Sequence, residues 1–308
     1  MMRLMRFLLA PSLLALAFGP MLAFAQAADP GDVAIEATKE HITFLIGKDL
    51  VGKYNIAAGA SKPHFWSLHG PGNVQITRPV PMTKDGPGKT PDHPHHKSLW
   101  FGHGDVIPHG IQLKVKSTDK RVTGVDFWSE AKGHGVVVCT EVGSPKLEKN
   151  HGQVTTKNAW QAPDGAKIMD ETRTIHLYDF GAAWLLIFDI DLFASVAPIT
   201  FGDTEEGSFA VRINDAIRED GGKGKLVNAE GVVGAGRFWG KQSPWCDYSG
   251  PIDGKNVGLA IFDDPANSTK ICWHVRGYGL HGSQSVRPSQ CLQRHIPSEG
   301  ESQVCRAG

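Results

Sequence analysis

Cysteine is sparse and odd in number, 5 residues in 308. That excludes the dense disulfide framework of small secreted scaffolds. An excess of charge of either sign is also missing. Thirty-two Lys and Arg offset 32 Asp and Glu, so nothing marks the basic footprint of a nucleic-acid binder. After Ala27 no apolar run approaches the ~20 residues of a membrane-spanning helix. Gly-x-Ser-x-Gly and His-Glu-x-x-His are both absent, so serine-hydrolase and zincin chemistry lack their signatures. Gly231-Val232-Val233-Gly234-Ala235-Gly236 resembles a phosphate loop only superficially, because no strand–helix context is evident in the sequence.

The first residues do contain an apolar stretch. Arg3 and Arg6 precede a mostly apolar run from Leu8 to Phe24, and Ala25-Gln26-Ala27 has the small-x-small form of a cleavage site. Residues 1–27 are expected to be a signal peptide, and the product to be secreted or periplasmic.

The rest reads as strands. Ile168 to Tyr178 alternates, Asp179-Phe180-Gly181-Ala182 turns, and Trp184 to Ile190 returns, which predicts a β-hairpin. Shorter runs lie at Val33–Thr38, His41–Ile46, Val136–Val142, Val154–Trp160, Phe209–Ile213, Val257–Phe262 and Ile271–Val275. The 36 Gly and 19 Pro between them are turn punctuation. The expected fold is all-β, a large antiparallel β-sandwich over residues 28–281. From Gly282 to Gly308 alternation and aromatics vanish, which marks 282–308 as an atypical tail whose reading frame is suspect.

Histidine is what the chain concentrates. Seven of 14 lie between His64 and His109, most densely in Asp92-His93-Pro94-His95-His96-Lys97-Ser98-Leu99-Trp100-Phe101-Gly102-His103-Gly104-Asp105. Imidazole changes charge near neutral pH and is the commonest metal ligand. Pro94 places His93 and His95 in a loop, since proline cannot donate to a strand ladder. On an extended strand His96, Ser98 and Trp100 share one face, and Leu99, Phe101, His103 and Asp105 the other. His95 and His103 would be ~26 Å apart on a straight strand at ~3.3 Å per residue, so a shared ligand requires a bend at Gly102 or Gly104. His93, His95, His96 and His103 are the candidate metal ligands, with a divalent or copper ion as the cofactor to test.

A second candidate is Asp203-Thr204-Glu205-Glu206-Gly207-Ser208-Phe209-Ala210-Val211-Arg212. Parity puts Glu206 with Arg212 on a polar face and Glu205 with the apolar one, unless Gly207 bulges. Aromatic loops around Trp66, Trp128 and Trp239 offer ring faces for sugars, although tryptophan is more often packing than contact.

These blocks carry a resemblance. Lys62-Pro63-x-Phe65-Trp66, the run from Asp92 to Asp105, Val125-Asp126-Phe127-Trp128, the Glu205-Glu206 segment and Trp273-His274-x-Arg276-x-Tyr278-Gly279-Leu280 resemble an exported bacterial family catalogued as methane oxygenase PmoA, elsewhere a domain of unknown function. The likeness covers roughly Ile42 to His281. It implies a β-sandwich, with the mutarotase-like supersandwich as one form, and members that accompany sugar-processing genes.

The leading expectation is a carbohydrate-active enzyme of epimerase, lyase or hydrolase type acting on a small molecule or oligosaccharide. His96, His103, Glu206 and Glu205 would be catalytic, and His93, His95, Asp105, Arg212, Trp66, Trp100 and Trp239 would bind substrate. The alternatives are a copper or iron oxygenase, as the family label implies, and a non-catalytic sugar-binding module.

Overall fold

The computed structural model describes residues 31–78, 92–267 and 270–284, together with the backbone of two later strands, Arg294–Ile296 and Gln303–Ala307. The expected signal peptide lies outside the described residues. The fold is all-β, 51% strand and 3% helix, in several antiparallel sheets of which none closes into a barrel.

The largest sheet has nine strands. Its path runs β1 (Val33–Ala37), β2 (His41–Ile46), β3 (Asp49–Asn55), β4 (His64–Gly70), β6 (Leu99–His103), β14 (Gly207–Arg212), β19 (Leu280–Gln284) and β18 (Cys272–Arg276), with β5 (Val74–Gln75) beside β4. The second contains β8 (Val136–Val142), β9 (Lys146–Leu147), β10 (His151–Gln161), β11 (Lys167–Asp179), β12 (Trp184–Phe193) and β21 (Gln303–Ala307). Two three-stranded sheets complete the set: β7 (Val106–Pro108), β13 (Ile199–Phe201) and β20 (Arg294–Ile296), then β15 (Lys225–Asn228), β16 (Trp245–Ile252) and β17 (Lys255–Phe262).

The expected hairpin is β11–β12, paired from Asp170↔Phe193 to Asp179↔Trp184. Alternation decides its packing. Ile175 and Leu177 are fully buried while Thr174 and His176, which alternate with them, are partly exposed, because successive strand residues point to opposite faces. The inner faces of the two large sheets meet through aromatic rings. Phe188 of β12 lies 6.1 Å from Phe65 of β4 and 5.0 Å from Phe209 of β14. Each such fully buried side chain contributes about 1.5–3 kcal/mol.

This core also holds charge. Arg173 pairs with Glu171 at 2.7 Å, and both are almost completely buried. Glu171 also accepts from Asn158 Nδ2 at 2.9 Å and from Trp160 Nε1 at 2.8 Å. A buried ion pair is tolerable when further hydrogen bonds complete it.

The large sheet's inner face takes Leu99, Phe101, Phe209 and Val211 into the core. Its outer face carries one row through five adjacent strands. Register places His64 opposite Trp100, Trp100 opposite Ala210, Ala210 opposite Gly282, and Gly282 opposite His274. At ~4.8 Å between strands the row is ~19 Å long. Rings stand at its ends, and the two smallest residues lie side by side within it. β19 carries the chain across the position where the sequence changes character after His281, and β20 and β21 pair with β13 and β12.

Candidate functional site

The histidine loop is fastened onto this outer row by two buried arginines. Arg78 Nη1 donates to the Asp92 carboxylate at 2.9 Å, and its Nη2 donates to the carbonyls of His93, at 3.1 Å, and His96. Arg212, on β14, donates to both Asp92 oxygens at 3.1 and 2.8 Å. Burial pushes the Asp92 carboxyl upward, but hydrogen bonding and charge from Arg212, then the charge of Arg78, outweigh it and hold the group below its usual range. His93 has φ 44°, a left-handed conformation uncommon outside glycine and enriched in Asn, Asp and His.

So fixed, the loop stacks its rings. His93 lies parallel to His96 at 4.6 Å and to Tyr278 at 5.1 Å. His96 stacks on Trp100 at 5.3 Å. His95 meets His96 edge-on at 4.5 Å. Trp128 touches three of these walls: Trp100 at 5.0 Å, His96 edge-on at 5.9 Å, and His274 stacked at 6.2 Å. The guanidinium of Arg212 covers the Tyr278 ring at 4.6 Å. Lys62, fully buried, donates from Nζ to the Trp128 carbonyl at 2.8 Å. Burial lowers its pKa to about 8.

The polar atoms here are unusual. Trp100 Nε1, Trp128 Nε1, His96 Nδ1 and His274 Nδ1 are buried and have no protein partner. Buried polar atoms normally have one, so each exception calls for an explanation. His274 is hydrogen-bonded to the backbone of Glu205, a contact that favours its charged form, yet burial dominates and lowers its pKa to about 3. The ring is therefore neutral at neutral pH. With one nitrogen donating to Glu205, Nδ1 presents a lone pair. Burial likewise lowers His64 and His95 to about 4, and drives His96 far below the ordinary histidine range. The face thus combines indole N–H donors with neutral imidazoles.

Glu206 lies beside Gly104, just past the end of β6, its carbonyl accepting from the Gly104 amide at 2.6 Å. Burial, then the charges of Asp126 and Glu205, raise its carboxyl to about 7. Its charge also acts on the Tyr278 hydroxyl. A carboxyl that titrates near neutrality can both take and give a proton. Next to it Glu205 pairs with Arg276 at 3.2 Å, and Arg276 covers the Trp239 ring at 4.8 Å.

The chain belongs to DUF6807, a family of unknown function. The match covers residues 41–304. It takes in every side chain just described and runs past Gly282. No curated protein matches the DUF6807 chain.

The structure brings together His93, His95, His96, Trp100 and Arg212, with Glu205, Glu206 and Trp239 toward the rim. Other expected residues lie apart. His103 is on the opposite face of β6 from Trp100. It is bonded through Nε2 to the Gly202 carbonyl at 3.0 Å and packed edge-on against Phe201 at 5.2 Å. Asp105 is buried and accepts from the Thr123 and Gly124 amides at 3.0 and 2.6 Å, which pins a loop. Trp66 is 37% exposed on β4. Glu206 precedes β14, which starts at Gly207, and Arg212 is committed to Asp92, while the charges of both act on the Tyr278 hydroxyl.

The histidine set does not fit a single metal ion in this arrangement. Imidazole nitrogens bind metal in the ring plane, so parallel His93 and His96 rings, 6° apart in tilt, cannot converge on one ion, and His103 lies across the sheet. Among the described residues no group of three or more His, Cys, Asp or Glu is arranged to hold one.

Trp128, His274, Tyr278, Arg78 and Lys62 complete the site; the sequence offered the Trp128 loop as a ring face for sugars but gave the other four no role. Trp128, His274 and Tyr278 sit in segments whose aromatic and histidine content was visible. Arg78 and Lys62 carry no local signal, since their importance comes only from the backbone they reach.

Proposed function

We propose that this outer face is the ligand site of an exported, carbohydrate-active enzyme, in which Glu206 exchanges a proton with the substrate. The observation that carries the reading is the set of unpartnered buried nitrogens on an aromatic floor. Indole N–H groups need acceptors, and the His274 lone pair needs a donor. A hydroxyl is both, and a sugar ring adds an apolar C–H face that suits tryptophan. His96, His274, Trp100 and Trp128 would hold the sugar, and His93, Tyr278 and Arg212 would shape the wall. His103 and Asp105 take no part. The leader-like residues 1–27 support a secreted or periplasmic location, where polysaccharide fragments are met.

The finer likeness to PmoA-like proteins would make this a copper or iron oxygenase. The stacked rings give that reading no support, so no step is assigned to a metal.

The test is binding. Neutral and acidic mono- and oligosaccharides should change tryptophan fluorescence saturably in the wild-type protein and less so in Trp128→Phe. A folded protein that binds none of them would remove the proposal. Saturable binding without any product would leave a sugar-binding module in place of an enzyme.

A further inference from the structure

The carboxylates around the site narrow the kind of reaction. Among the described residues whose carboxylates act on the site's groups, Asp92, Asp126, Glu130 and Glu205 are already committed, and Asp215, which acts on Arg78, pairs with Arg218 at 3.6 Å. Asp92 is held by Arg78 and Arg212. Asp126 accepts from the Trp128 amide at 2.8 Å and from both the amide, at 3.0 Å, and the hydroxyl of Ser129. Glu130 pairs with Lys97 at 2.8 Å and accepts from Ser61. Glu205 pairs with Arg276. Among these Glu206 alone has neither a hydrogen-bond donor nor an ion-pair partner on its carboxylate; its backbone instead ties down the loop, the amide donating to Thr204 Oγ1 at 3.0 Å and the carbonyl accepting from Gly104.

Glycoside hydrolysis ordinarily needs two working carboxyl groups on either side of the scissile bond. Resting on the sugar-site reading above, we infer that the site instead moves a carbon-bound proton. Its substrate would be a polyhydroxylated carbonyl compound, with Glu206 as the single base and the buried indole N–H groups as donors to the carbonyl oxygen. The Glu206 carboxylate removes the proton from the carbon next to the carbonyl. The C–H electron pair becomes a carbon–carbon double bond, and the carbonyl π pair moves onto oxygen. The resulting enolate oxygen lies in a dry, donor-lined site, where such stabilisation is strongest. Glu206 then returns its proton to the same carbon, on either face, and the carbonyl re-forms where it was. No oxidant, reductant or co-reactant is consumed. Neutral imidazoles suit this role better than imidazoliums, because a neighbouring positive charge would lower the carboxyl's pKa and weaken Glu206 as a base.

The experiment is deuterium wash-in. D-glucose, D-fructose and D-glucuronate are each incubated with the full chain in D2O and followed by NMR, with fluorescence binding measured in parallel. Expected is protein-dependent exchange of the proton next to the carbonyl on at least one of them. Glu206→Gln should slow it by about 10²–10⁴-fold, keep sugar binding and keep its cooperative unfolding transition. Glu206→Asp should retain part of the rate. Exchange that survives Glu206→Gln overturns the assignment. Sugar binding without exchange overturns the inference and leaves the sugar site standing, and so does cleavage of a glycosidic bond with no deuterium at carbon. Absence of all sugar binding brings down both readings.

Discussion

Four tryptophans in this protein are almost completely buried: Trp100, Trp128, Trp160 and Trp273. Two have paired indole nitrogens, Trp160 with Glu171 at 2.8 Å and Trp273 with the Ser243 carbonyl at 2.9 Å. The other two have none, and those two touch each other. Burial alone therefore does not separate scaffold from site. The pairing state of the buried N–H does, because an unpaired one lowers stability unless something other than folding maintains it.

That contrast predicts opposite responses to mutation. Glu171→Ala leaves Arg173 charged and unpaired in the core and should cost about 3–5 kcal/mol in urea unfolding. Trp160→Phe removes one donor from Glu171 and should cost about 1–3 kcal/mol. Trp128→Phe removes a donor with no protein partner. It should change stability by less than about 1 kcal/mol while weakening sugar binding by about tenfold, the worth of one hydrogen bond. A Trp128→Phe protein as unstable as Trp160→Phe would erase the distinction.

The smallest effects are in the pH dependence. The Glu206 carboxyl is raised by burial to about 7, above its unfolded value, so the folded state binds the extra proton. Its contribution to stability is fully present below the unfolded pKa and is lost as pH rises through about 7. Glu206→Gln should flatten that slope, and base-dependent turnover should rise over the same range. His274 works in the other direction. Its folded pKa of about 3 lies below the unfolded value, so its contribution falls away as pH drops below about 6.5. His274→Gln should reduce acid sensitivity between those limits, measured as the urea midpoint against pH.

Much of this was legible from alternation. The β11–β12 hairpin and the opposite faces of His96 and His103 follow from period two, and the loop at Pro94 from its missing N–H, all local properties. The site was only half visible for the same reason. Ala210, Gly282 and His274 become neighbours because β14 pairs with β19 and β19 with β18, and no local pattern encodes that order. Arg212 misled because parity says which face a residue takes, not which partner on that face wins. Asp92, 120 positions away, offers it two charged hydrogen bonds. The density of histidine pointed to the right loop, although His103, at the end of β6 beyond it, serves packing.

The methyl of Ala210 has a consequence of its own. It stands between the Trp100 indole and the bare backbone of Gly282, and a Cβ built on Gly282 would come within 3.1 Å of it. Under the sugar-site proposal, this one side chain would set how far a guest can sink between the two aromatic walls. Replacing alanine by glycine, valine or leucine there would act as a gauge block, admitting or refusing molecules by thickness while leaving the chemistry at the rim unaltered.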